Sequence, residues 1–176
     1  MMAANGFKPG DYDVLAVGGA PTRWKLLQEG KIDAGLQPFP LSYEAEAAGF
    51  TNFGPITQYV QNYLFTTVNA DGEWASRNEQ TVSAFLRGLR QGLEHMKRHR
   101  DDAVAVAAKE LNTTPVLAER ALADTAKLQI LSQDLSVSEA ALRGTFDTLL
   151  GVGLLPAGTA FEPARVVDTR YLRRLP

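Results

Sequence analysis

Two short apolar runs, Val14–Val17 and Ile32–Leu36, enclose a segment that carries the start and stop signals of one helix. The first run ends in Gly18-Gly19, as a buried strand does when it turns sharply out of a sheet. Pro21 and Thr22 then open a helix, since proline suits the first helical position and a threonine or bare N–H serves the unpaired donors there. Gly30 closes it before the second run begins. A dozen or so residues between two apolar runs suit a β-α-β crossover between parallel strands. The fold class expected from this stretch is therefore α/β.

The strand-to-helix turn has a chemical use. The first N–H groups of a helix lack intrahelical partners and lie at the positive end of its dipole, so the corner from Gly18 to Arg23 suits a small anion. Gly18 and Gly19 let a ligand approach the backbone, Thr22 adds a hydroxyl, and Arg23 adds a two-pronged cation. Neither the dinucleotide pattern G-x-G-x-x-G nor the phosphate loop G-x-x-x-x-G-K-[ST] is present. The plainer reading of the same residues is an ordinary turn with a solvated arginine.

A chain of 176 residues buries enough surface for one domain or two small ones. Its formal charge of -2 gives no reason to expect a nucleic-acid partner, and the basic residues are scattered apart from the run Lys97–Arg100. The lack of cysteine excludes disulfides, thiolate metal sites and a cysteine nucleophile. No apolar run approaches the roughly 18 residues that span a bilayer. The first residues lack the basic start and apolar core of a secretion signal. Met1–Asn5 followed by Gly6 reads as the last turn of a helix and its cap, which implies that the chain begins inside a larger fold.

Further on, Pro38-Phe39-Pro40 breaks the chain. Leu41–Ala48 reads as a short helix with Ser42 as cap, and its Glu44 and Glu46 would repel an anion, which leaves the Arg23 turn as the better anion candidate. Phe50–Phe53 and Tyr63–Val68 read as strands. From Glu73 the chain turns helical. Val82, Phe85, Leu86, Leu89, Leu93 and Met96 form the stripe of a long amphipathic helix. Asp101 or Asp102 caps a helix through Leu111, Thr114-Pro115 starts another, and Ser136-Val137-Ser138-Glu139 reads as a capping box before the stripe of Leu142, Phe146, Leu149 and Leu150. The tail from Pro163 to Pro176 reads as irregular, with Val166-Val167 and Tyr171-Leu172 as anchors.

Other candidate chemistry is weaker. His95 and His99 sit four apart on one helix, but no third ligand is near and Lys97, Arg98 and Arg100 oppose a cation, so no metal is expected. Asp101-Asp102 diverge in direction and suit capping better than acid-base work. No G-x-S-x-G occurs and the only histidines lie in the basic segment, which leaves a serine-histidine enzyme without support. Trp24 and Trp74 are expected in the core.

The chain resembles the C-terminal part of the solute-binding proteins of the nitrate/sulfonate/taurine and thiamine-precursor group of ABC importers. The resemblance rests on Gly6-Phe7-Lys8-Pro9-Gly10-Asp11-Tyr12, Val17-Gly18-Gly19, and Leu27-Gln28-Glu29-Gly30-Lys31-Ile32-Asp33-Ala34-Gly35. It continues through Gln37-Pro38, Glu44–Phe50 and the helix expected over Trp74–Leu89. It implies a partial type II periplasmic-binding fold with a helix-rich C-terminal half. In such a fold residues 1–40 belong to the second α/β lobe, 41–62 to the remainder of that lobe and the crossing segment, and 63–176 to the helix-rich part of the first lobe.

The implied function is capture, without transformation, of a small organic or inorganic anion between two lobes, with no cofactor. Gly18, Gly19, Thr22 and Arg23 are the expected ligand contacts, with Gln37 and Phe39 near the crossing. The implied partner is the importer's membrane permease, and the implied location of the full-length protein is periplasmic. The export signal and most of the first lobe of such proteins have no counterpart in this sequence, so a homodimer of the fragment is a further expectation. The pattern does not select among sulfonate, nitrate, carboxylate and pyrimidine. A cytoplasmic effector-sensing domain uses the same lobes, and a fold-related enzyme of pyrimidine-precursor synthesis would need a histidine or cysteine at the cleft.

Overall fold

The computed structural model describes residues 2–8, 10–132 and 134–173. Pro9 of the first resembling segment, Met1 of the expected N-terminal turn and the last three residues of the tail lie outside them. The described residues hold seven α-helices: α1 (Ala20–Gln28), α2 (Leu41–Ala47), α3 (Gly72–Arg77), α4 (Glu79–Arg98), α5 (Arg100–Glu110), α6 (Pro115–Lys127) and α7 (Glu139–Gly151). They divide into two compact units, residues 1–59 with 101–128 and residues 60–100 with 129–176. Each unit therefore joins stretches far apart in sequence.

In the first unit, Trp24 and Leu27 of α1 and Ala45 of α2 are buried together, with Ile32, Leu41 and Phe50 packed on them. The Trp24 and Phe50 rings meet edge to face at 5.5 Å. This is the core position expected of Trp24, and it explains the helix pair: each helix is short, and packing against the other supplies stability that neither has alone. Gly30 and Gly49 end the helices with positive φ, as expected of residues that free the chain from the helical turn. Before α1, Ala3–Asn5 forms one 3₁₀ turn, and Phe7 N–H closes it on Met2 O.

In the second unit, Ala75, Leu86 and Tyr171 are buried together with Val82, Leu135 and Leu172 against them. Tyr171-Leu172 is thus the anchor that holds the tail, whereas Val166 is exposed. The tail also places Phe161 edge to face with Phe146 at 5.3 Å and under the Arg143 guanidinium at 3.6 Å. Trp74 is 45% exposed, against expectation; its neighbour Ala75 takes the buried place because the helix there is broken. The helix expected over Trp74–Leu89 is two helices, since the Asn78 side chain donates back to Trp74 O and its backbone leaves the helical region.

Three caps differ from expectation. Ser42 lies inside the first turn of α2, which begins after Pro40, and its hydroxyl is buried without a partner. Helix α5 begins at Arg100, so Asp101 and Asp102 occupy its first turn instead of its cap. Ser138 caps α7 by accepting from Ala141 N–H, because Ser136 N–H is already held by the Asp134 carboxylate. Thr114 caps α6 as the sequence reads.

Among the described residues no β-ladder forms. The expected strands 14–17, 32–36, 50–53 and 63–68 are irregular, with no bonded neighbour strand, and the second of them bends at Asp33. Extended backbone counts as sheet only when a second edge satisfies it, and here the apolar side chains stand in solvent: Val14 is 84% and Phe65 79% exposed.

One of these segments is seated on a helix. Leu64 N–H donates to Thr145 Oγ1 at 2.8 Å, and that hydroxyl donates to Ala141 O at 2.9 Å. The backbone of residues 61–62 lies directly on Gly144, where a Cβ would overlap the Asn62 carbonyl oxygen and sit 3.1 Å from that of Gln61. Gly144→Ala should therefore cost about 1 to 3 kcal/mol of unit stability, the range for forced overpacking. Gly88→Ala on α4, where a Cβ meets nothing, should gain up to about 1 kcal/mol from helix propensity. Hydrogen exchange in α7 and α4 reads both; a Gly144→Ala variant as protected as wild type would refute the seating.

Candidate functional site

The turn into α1 is built by an arginine that folds back on its own loop. Gly18 adopts φ +83, which a side chain would strain, and Gly19 caps the helix with extended backbone and no side-chain bond. Pro21 stands in the first turn, and Arg23 N–H closes it on Gly19 O at 3.0 Å. One helical turn into α1, the Arg23 side chain is partly buried and donates from Nε to Leu36 O at 2.8 Å and from Nη1 to Gly18 O at 3.2 Å. The guanidinium thus ties together the C-terminal ends of the two apolar runs that enclose α1.

That use leaves chemistry in hand. A guanidinium has five N–H donors in a fixed plane, and two are taken here, so three have no partner among the described residues. The N–H groups of Ala20 and Thr22, at the positive end of α1, also have none, and the Thr22 side chain is exposed without a bond. Arg23 is therefore neither the free cation nor the solvated side chain of the two sequence readings; it is a clamp with spare donors.

Gln37 belongs to the same corner. A Cβ built at Gly35 lies 3.5 Å from Gln37 Nε2, 3.5 Å from Ile32 Cδ1 and 3.7 Å from Arg23 Cδ. Both polar atoms of the Gln37 amide are buried without a hydrogen bond, an arrangement that costs on the order of 1 to 3 kcal/mol unless something supplies the partners. Gly18, Gly19, Thr22, Arg23 and Gln37 are thus brought to one corner of the first unit.

Phe39 goes elsewhere. Its ring stacks on that of Tyr43 in α2, with centroids 4.9 Å apart and planes 12° from parallel, and the Arg120 guanidinium of α6 lies 3.8 Å from the same Tyr43 ring centroid. Tyr43 is buried and donates to Asp124 Oδ2 at 2.6 Å. Glu44 accepts from the Thr113 hydroxyl at 3.0 Å and Glu46 pairs with Arg120 at 3.2 Å. The two glutamates expected to repel an anion are instead tied down by α6 and the turn before it. Tyr43, Asp124 and Arg120 were not singled out from the sequence. They lie in helices more than seventy residues apart, and no local signal joins them.

His95 and His99 stack at 4.3 Å at the end of α4. Among the described residues no group of three or more His, Cys, Asp or Glu side chains converges as a metal site. No helix of these residues is long and apolar enough to cross a membrane.

The corner thus gathers unpaired backbone, guanidinium and amide groups in one place. The family model described as NMT1/THI5 like matches residues 1–103 of the chain. The chain belongs to that family, whose members are solute-binding proteins and related pyrimidine-precursor proteins. The matched span contains every residue of the Arg23 corner and ends inside α5, so α6 and its contacts to Tyr43 lie beyond it. No curated protein and no solved structure matches the chain.

Burial first, and then the bond to Asp124 with its negative charge, holds the Tyr43 phenol well above the ordinary tyrosine range. A phenol whose pKa is raised on folding stabilises the fold fully below the unfolded-state value of about 10 and loses that contribution as the pH climbs beyond it. Tyr43→Phe should cost about 1.5 kcal/mol at neutral pH, as expected for a hydrogen bond to a carboxylate. The gap between wild type and variant should close above about pH 10. Denaturant unfolding monitored in the first unit across that range checks it, and a gap that widens with pH would be contrary.

Proposed function

We propose that the chain forms part of a solute-binding component of an ABC importer and captures a small anion at the Arg23 corner, without catalysing a reaction on it. In this reading the two apolar runs around α1 are strands of an α/β lobe of the type II periplasmic-binding fold. The lobe closes on the solute against a second lobe, and contacts made to both walls favour the closed state. The full-length protein acts in the periplasm, delivers its ligand to a membrane permease, and needs no cofactor. Family membership supports a small-molecule ligand. The observation that carries the anionic choice is the Arg23 guanidinium, which is fixed by Gly18 O and Leu36 O and keeps three donors spare beside the open N–H groups of α1.

A clamped guanidinium is preorganised, so little side-chain entropy is lost when an oxyanion engages it. Arg23→Ala should weaken binding of an anionic solute by about 1.5 to 3 kcal/mol, the range for a hydrogen bond to a charged group. Arg23→Lys should not restore it, because an ammonium cannot hold two carbonyls and present a planar fork together. Calorimetric titration with a sulfonate, a carboxylate and nitrate, alongside a neutral analogue of each organic ligand, is the measurement. Equal affinity of wild type and Arg23→Ala for every anion would remove the corner from the binding site.

A further inference from the structure

We draw no further inference here: the strongest candidate, the open apolar trough along α4 lined by Ala84, Phe85, Gly88, Leu89 and Gly92, carries none because nothing in the structure shows what covers it.

Discussion

The first unit depends on one guanidinium. Nothing else among the described residues joins the backbone at Gly18 to the backbone at Leu36, and Arg23 does so with two bonds from one rigid plane. The apolar packing of Trp24 and Leu27 on Ala45 fixes α1 against α2 but says nothing about where the flanking segments go. Hydrophobic burial is non-directional, whereas two charge-assisted bonds to carbonyl oxygens fix position and angle. The clamp converts a buried helix pair into a corner with a defined entrance.

The readable part of this architecture was local. Pro21, Thr114-Pro115 and Gly30 act within one helical turn of themselves, so their effect survives whatever the rest of the chain does, and each stands where the sequence placed it. The caps that moved did so for equally local but competing reasons. The Asp134 carboxylate captured Ser136 N–H, and Asn78 reached back to Trp74 O and split one expected helix into two. The candidate turn residues were legible as a set because they are contiguous. The use of Arg23 was not, because it depends on Leu36 O, thirteen residues away and invisible to any pattern of side chains. Least legible was the cluster of Tyr43, Asp124 and Arg120. A tyrosine in a short helix reads as core from its spacing, and only the folded chain shows that its hydroxyl meets a carboxylate eighty-one residues on.

The two units solve the same packing problem with different materials. The first uses rings and ion pairs: Trp24 on Phe50, Phe39 on Tyr43, Arg120 over Tyr43 and onto Glu46. The second lets backbone approach backbone, with residues 61–62 laid on Gly144 and Thr145 supplying the missing acceptor for Leu64 N–H. Both devices compensate for small cores. Few side chains are buried in either unit, so specificity has to come from directional contacts more than from volume.

Because Arg23 serves both as clamp and as the proposed ligand contact, order in the loop and occupancy of the corner are thermodynamically linked. A ligand that engages the spare Nη donors leaves the bonds to Gly18 O and Leu36 O intact and, by drawing on the same charge in a partly buried place, acts with them. A ligand that took Nε would have to release Leu36 O first, and it would bind more weakly by the cost of that broken bond and of the loop it frees. On the proposed function, the corner would therefore discriminate by which donor a ligand engages as well as by charge. An oxyanion that reaches the spare Nη donors meets groups on a plane already held in place, and one that has to displace the loop meets a barrier of the protein's own hydrogen bonds.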